Sequence, residues 1–328
     1  MPRLLVITDQ QVSELLPMKE AIDAVEQAFL DFAEDRAKMP AKIYLEFPKF
    51  EGDLRVMPAS VGDEFAGVKL VNSHAKNPSR GLPTVVGTYL LFSQETGMPL
   101  ALIAGTALTA IRTGAGAAVA TKWLAPKGSS TLGLVGTGVQ ARYQLMAINE
   151  VLELKTVRAW APQQDTARRD AFIADMKQLY PGLEIVPAET VEEAVDVDVI
   201  CTTTPSHTPI VPDLSIKHST HINAVGADAP GKQELDSNLL GRARVIVDEL
   251  HQSVTGGEIN VPIARGEYDA GQIIGSLGDV IAGNVWGRSA DAQITIFDST
   301  GLAIQDIAAA TVVYRKSLDS HTGSTIEL

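Results

Sequence analysis

The spacing of apolar residues changes along the chain, and each change marks an element. Over residues 17–36, Ile22, Val25, Phe29 and Phe32 recur at helical spacing, with Asp23, Glu26 and Asp31 on other faces. That predicts an amphipathic helix, with Pro40 marking its exit. The period then becomes two. Ile43, Leu45 and Phe47 alternate with Lys42, Tyr44 and Glu46; Leu54 and Val56 flank Arg55; Val68 and Leu70 flank Lys69. Strands with one apolar and one mixed face are expected, so Arg55 and Lys69 should project to the side away from the core. The runs 84–92 and 99–103 read as a hairpin around residues 93–97. Residues 106–124 form a helix rich in Ala, Gly and Thr. Gly114 and Gly116 lower its intrinsic stability, which the close approach of another backbone or a ligand best explains.

From Thr131 the pattern alternates between strand and helix. Strands are expected at 131–135, 156–161, 197–203, 220–225, 244–248 and 293–298, and helices at 140–151, 164–179 and 190–195. A last helix covers 304–318. This is an α/β pattern: a Rossmann-type doubly wound parallel sheet, preceded by an N-terminal α+β domain. The expected division is 1–120, completed by the C-terminal helix and tail 304–328, and 121–303.

Length and charge narrow the partners. The 328 residues suffice for two domains of ordinary size. The formal net charge of −13 argues against nucleic acid or an anionic membrane as the main partner. No run approaches the ~18 apolar residues of a membrane span, and the short apolar N-terminus does not read as a signal peptide. The single cysteine, Cys201, is expected to be a buried structural thiol, which suits the cytoplasm. His218 and His221 lack a carboxylate or thiol at ligand spacing, so no metal site is expected.

The most specific chemical signal is Gly136-Thr137-Gly138-Val139-Gln140-Ala141, between a predicted strand and a predicted helix. Gly136, Gly138 and Ala141 fill the three small positions of a dinucleotide fingerprint. They allow a tight turn, close approach of backbone to a pyrophosphate, and close helix–strand packing. Thr202 and Thr203 end a neighbouring strand and offer hydroxyl and N–H groups to a ribose or phosphate, with simple turn chemistry an equal explanation. Arg55, Lys69 and Arg112 could form a receptor for a carboxylate, the plain alternative being three solvated charges. Asp228 lies in a Gly/Ala/Pro loop after an apolar strand and could accept a proton or hold an amine; a turn aspartate bonding its own backbone is the plain alternative. Ser299 and Thr300 end the last strand in the manner of Thr202 and Thr203.

Read together, Gly136–Ala141, the run Gly226-Ala227-Asp228-Ala229-Pro230-Gly231-Lys232-Gln233-Glu234-Leu235, Gly67-Val68-Lys69, Gly81–Thr84, Leu108–Thr113 and Phe297–Thr300 resemble the ornithine cyclodeaminase/mu-crystallin family over nearly the whole chain. Residues 40–47, 71–74 and 256–261 favour its archaeal-type alanine dehydrogenase branch. The resemblance implies a homodimer whose N-terminal domain binds substrate and dimerises. It implies that Arg55, Lys69 and Thr300 meet a small amino or 2-oxo acid, with Lys69 and Asp228 catalytic. Thr84, Arg112, Thr113, Gly136, Gly138, Val139, Gln140, Thr202, Thr203, Val225, Gly226, Lys232 and Ser299 would then face the nicotinamide dinucleotide. The implied reaction is reversible oxidative deamination of L-alanine to pyruvate and ammonia. The alternatives are a pyrroline-2-carboxylate reductase, an ornithine cyclodeaminase, or a non-enzymatic ligand binder of the mu-crystallin kind. One position departs from the fingerprint: an acidic residue is expected at the end of the second strand to take the ribose hydroxyls, and Ala161 stands there. NAD is the expected cofactor, with NADP left open.

Overall fold

The structure is a computed structural model that describes residues 3–291 and 293–327. Contacts between residues divide it into two compact units, Met1–Arg112 with Leu302–Leu328, and Thr113–Gly301. The first unit contains β1 (Arg3–Ile7), α1 (Asp9–Leu15), α2 (Met18–Ala33), β2 (Ala37–Lys38), β3 (Ile43–Phe47), β4 (Gly52–Val61), β5 (Phe65–His74), β6 (Val85–Ser93) and β7 (Pro99–Ala104). The boundary falls inside α3 (Gly105–Leu124). The second unit runs β8 (Thr131–Val135), α4 (Val139–Val151), β9 (Thr156–Trp160), α5 (Thr166–Leu179), β10 (Glu184–Pro187), α6 (Val191–Val195), β11 (Val199–Thr202) and β12 (His221–Ala224). It continues through α7 (Ser237–Arg242), β13 (Ala243–Val247), α8 (Leu250–Gly256), α9 (Asn260–Ala264), β14 (Gly275–Ser276), α10 (Leu277–Ile281) and β15 (Ile294–Asp298). The chain then returns to the first unit as α11 (Ala303–Ser320) and β16 (Ser324–Glu327).

The first unit is built on a sheet ordered β16-β1-β7-β6-β5-β4-β2, with β3 also paired to β4. Every pairing is antiparallel except β1 with β7. Met57, Lys69, Tyr89 and Ile103 are successive cross-strand partners, so they lie on one face. All four are buried, and α2 and α11 belong to the layer packed with this sheet. The alternation was therefore real but its polarity is the reverse of the expectation. Lys69 and Arg55 share the covered face with Met57, Ala59 and Val71, while Leu70 on the other face is 41% exposed. The physical reason is that Leu54, Val56 and Leu70 make a second apolar face, and period alone cannot say which of two apolar faces a helix will cover. Gly67 shows how tight the covered face is, since a Cβ there would stand 2.2 Å from the Tyr89 hydroxyl oxygen.

The second unit has eight parallel strands in the order β10-β9-β8-β11-β12-β15-β13-β14. The chain-first strand β8 stands inside the sheet, with β9 and β10 to one side and β11 onward to the other. This is the doubly wound arrangement, and its switch point lies between β8 and β11. Separate apolar clusters cover the two faces, one with Leu132, Leu134, Leu145, Ile148 and Phe172, the other with Val135, Ile200, Ile222, Leu239 and Ile296. Full burial of each such side chain contributes about 1.5–3 kcal/mol. The glycine-containing helix α3 fits its expected reason: a Cβ at Gly114 would stand 2.5 Å from the Tyr143 carbonyl oxygen on α4. The short elements β10, β14 and α7 to α10 carried too few periodic positions to be predicted. No helix among the described residues is long and apolar enough to cross a membrane.

Candidate active site

In the first unit, β5 projects Lys69 into the layer beneath α11, where the residue is 0% exposed. An ammonium there must be compensated, because burying one without a partner costs several kcal/mol. Asp306 on α11 supplies the partner: Lys69 Nζ donates to its Oδ1 at 2.8 Å and lies 2.8 Å from Oδ2. The same carboxylate accepts from Arg112 Nε at 2.8 Å, while Arg112 Nη1 donates to Gln305 Oε1 at 3.0 Å. Burial, the Arg112 charge and the Lys42 charge draw the Lys69 ammonium down to about 7, against the opposing pull of Asp306. Two of the three expected receptor cations thus meet on one carboxylate. The third, Arg55, is held by Asp53 through Nε at 3.0 Å and Nη2 at 3.1 Å, with its guanidinium 5.5 Å from the Tyr44 ring centre. Thr84 is exposed at the start of β6, with its carbonyl accepting from the His74 N–H. Period and spacing did not single out Asp306 or Gln305, which lie on the predicted last helix far along the chain from Lys69.

In the second unit, β8 ends in a turn that Gly136 makes possible with φ of +99°. A Cβ at Gly136 would stand 2.9 Å from Thr203 Oγ1, and one at Gly138 would meet nothing within 4 Å. Gly138 precedes α4 as its N-cap without a side-chain cap, so the first N–H groups of that helix keep no side-chain acceptor. Val139 is 67% exposed. Thr137 Oγ1 and Gln140 Oε1 are buried polar atoms that find no hydrogen-bond partner among the described residues. An open glycine, an uncapped helix start and the unsatisfied Thr137 hydroxyl fit a dinucleotide pyrophosphate, while Gln140 Oε1 can accept only from a donor such as a ribose hydroxyl. Thr203 belongs to this turn, its N–H donating to the Val135 carbonyl at 2.9 Å. Thr113 on α3 accepts from Gln144 Nε2 at 3.4 Å through its carbonyl. Ala161 is buried at 5% exposure, and Gln163 and Gln164 follow it in the open.

After β12, Val225 is 9% exposed and the chain turns through Gly226 to Asp228. The Asp228 side chain is 35% exposed and pairs with Lys232 Nζ at 2.5 Å. Lys232, expected to face the dinucleotide, therefore also reaches the acid/base candidate. Gly231 takes φ of +82° and its N–H donates to Asn260 Oδ1 at 2.9 Å, which fixes the far end of the loop.

A buried carboxylate network supports these strand ends, and the sequence reading did not single it out. Glu234 Oε1 accepts from the Thr204 N–H at 2.6 Å and the Thr204 hydroxyl at 2.7 Å; its Oε2 accepts from the Thr202 hydroxyl at 2.6 Å and the Gly226 N–H at 2.9 Å. Glu258 accepts from the N–H groups of Glu234 and Leu235 at 2.9 and 2.6 Å. Asp298 Oδ1 accepts from the Glu258 N–H at 2.8 Å, and Asp248 Oδ2 from the Thr300 and Gly301 N–H groups at 2.6 and 2.8 Å. Burial raises the Glu234 carboxyl. It raises that of Glu258 further, with Glu234 and Asp298 adding negative charge beside it. Thr202 and Thr300, both expected to face a ligand, thus have their hydroxyls committed to Glu234 and Asp248. Ser299 is 4% exposed, and its N–H is taken by the Ala224 carbonyl. Glu234 stands between Gln233 and Leu235 and Asp248 between Val247 and Glu249, with no local pattern that joins them to Thr202, Thr204 or Thr300.

Two other expectations concern the same sheet. Cys201 is buried in β11, where burial pushes its thiol up to about 12. His221 is a core residue bonded to Thr295 and Asn223, with burial drawing its imidazole down to about 3.

Comparison with known proteins agrees with this architecture. Alanine dehydrogenase of Archaeoglobus fulgidus is 46% identical over 323 residues, covering 98% of each chain. A solved archaeal alanine dehydrogenase dimer with bound NAD superposes with a TM-score of 0.95 at 45% identity, covering 99% of both chains. Thermococcus litoralis Δ1-pyrroline-2-carboxylate reductase, solved with NADH and L-proline, also superposes with a TM-score of 0.95, at 35% identity over 98% of this chain and 100% of its own. Residues 3–321 match the ornithine cyclodeaminase/mu-crystallin family, to which this chain belongs.

Proposed function

We propose that the protein is a nicotinamide-dinucleotide-dependent oxidoreductase that interconverts L-alanine with pyruvate and ammonia. The observation that carries this reading is the buried Lys69–Asp306–Arg112 cluster. With Lys69 protonated, two cations against one anion leave one net positive charge in a dry setting, which matches the single carboxylate of a small 2-oxo or amino acid. The 46% identity to an alanine dehydrogenase supports this substrate over pyrroline-2-carboxylate. A bound NAD supplies the two-electron redox chemistry at the substrate Cα. Lys69 and Arg112 hold and polarise the acid. Asp228, half-exposed and beside Lys232, takes and returns the protons that accompany water addition and loss of ammonia.

Substitution Asp228→Asn should cut kcat by about 10²–10⁴-fold while dinucleotide affinity stays within twofold or so. Retained turnover would remove Asp228 from the mechanism. A panel of alanine, ornithine and pyrroline-2-carboxylate with both dinucleotides, followed through absorbance of the reduced cofactor, decides the substrate. Alanine should form reduced cofactor. Formation of none with alanine, together with its consumption by pyrroline-2-carboxylate, would replace this reading by the reductase. The same panel measures NAD against NADP at the Ala161 position.

The exposed face of the first unit supports a homodimer. Ile43, Leu45 and Leu70 are 62%, 56% and 41% exposed, and Val86 is 43% exposed. Their register places them on one continuous sheet face, and apolar patches of this kind mark interaction surfaces. Leu70→Glu should convert the dimer to monomer in sedimentation; a dimer that persists would exclude this face.

A further inference from the structure

We propose that Asp306 is a positioning residue, which holds the Lys69 ammonium and the Arg112 guanidinium as one rigid receptor for the substrate carboxylate. The inference rests on the reading that these cations meet substrate. Three observations carry it. Asp306 is 0% exposed and contacts both cations at 2.8 Å, so neither can move without uncovering a buried charge. Its neighbour Gln305 fixes the Arg112 fork from the same helix turn, and Gln305 Oε1 also accepts from the Leu302 N–H at 3.0 Å, which ties the pair to the start of α11. Finally, Gln305 Nε2 and the Tyr89 hydroxyl are buried without a hydrogen-bond partner among the described residues. Tyr89 is the cross-strand partner of Lys69, so spare donors stand next to the paired cations.

Asp306 also governs protonation. The groups facing Lys69 are Asp306 on α11, Arg112 on α3, Tyr89 on β6 and Lys42 ahead of β3. Of these only Asp306 favours the ammonium; Arg112 and Lys42 oppose it. Removing the Asp306 charge must therefore lower the pH at which Lys69 loses its proton.

The test is Asp306→Asn. The expected result is a KM for pyruvate raised about tenfold or more, a smaller change in kcat, and a pH limb of kcat/KM displaced to lower pH. Titration of Lys69 Nζ by nitrogen NMR should show the same downward displacement, and NADH binding should be unchanged. Asp306→Glu keeps the charge and moves it by one methylene; it should raise KM by less and leave the pH limb near its original place. An unchanged KM or an unmoved limb in Asp306→Asn overturns the proposal, as does an Asp306→Glu protein that behaves like Asp306→Asn in its limb. If the unaltered protein turns over no amino or 2-oxo acid, the functional reading fails. The Nζ titration then decides this proposal alone: a displaced midpoint upholds control of Lys69 by Asp306 and an unmoved one refutes it.

Discussion

In the antiparallel unit, buried charge is balanced by opposite charge: Lys69 and Arg112 share Asp306. In the parallel unit, a buried carboxylate is balanced by dipoles: Glu234 is held by backbone N–H groups and threonine hydroxyls at strand ends. The two solutions have different consequences. An ion-paired cation can transfer its interaction to an incoming anion. A carboxylate wrapped in four donors has no capacity left and serves to hold loops in place. The difference separates charge kept for chemistry from charge kept for architecture. It also explains why the Glu234 network lies where β11 and β12 end, the region from which the Asp228 loop departs.

Three substitutions would break or sharpen this contrast. The largest effect is expected from Lys69→Met, which should lower kcat/KM for alanine by about 10²–10³-fold with no loss of stability. Asp306 keeps Arg112, and a buried apolar side chain replaces a desolvated ammonium. The pH dependence of unfolding should change with it. The Lys69 ammonium is depressed to about 7 in the folded chain, against 10.5 as its ordinary value. Its contribution to stability is therefore fully present above 10.5 and lost as pH falls toward 7, and Lys69→Met should abolish that slope. Paired urea titrations at the two ends of this range measure it, and a large drop in stability would show the cation to be structural.

Next comes Glu234→Gln. Both carboxylate oxygens accept from donors, so one amide nitrogen must face donors and leave them unsatisfied. A loss of about 2–4 kcal/mol in urea unfolding is expected. The smallest effect is expected at Glu258. Burial and neighbouring carboxylates raise its carboxyl well above the ordinary range, so the neutral form is the one the fold favours. A raised carboxyl contributes stability that is present below its unfolded value and lost as pH rises through its folded value. Glu258→Gln mimics the neutral form. It should stay within about 1 kcal/mol of the parent below pH 4.5, the ordinary carboxyl value, and become the more stable of the two as pH rises above it. Equal damage from the two glutamine substitutions would erase the distinction drawn between these carboxylates.

Much of the molecule was legible in residue order. The helical spacing of Ile22, Val25 and Phe29 matches α2, and the strands predicted from Thr131 onward match the parallel sheet within a residue or two at their ends. Gly136 marked the turn because its φ of +99° favours a residue without a Cβ, and that constraint is local, whereas a Cβ at Gly138 would meet nothing within 4 Å and its glycine leaves open space. Lys69, Arg112 and Asp228 could be named as chemically capable residues for a similar reason: few side chains carry fixed charge amid apolar or small neighbours.

What residue order could not decide was pairing across distance. Lys69 and Asp306 are 237 positions apart, and nothing in local spacing joins them. The same holds for Glu234 with Thr202 and for Thr300 with Asp248, where hydroxyls read as ligand contacts are committed to carboxylates. Nor could alternation alone choose which apolar face of the first sheet would be covered. Period is a property of one strand, whereas burial and charge compensation belong to whichever elements the fold brings against it. Local chemistry therefore determined the candidate residues and the elements that carry them; tertiary packing decided which charges are satisfied within the protein and which remain to meet a ligand.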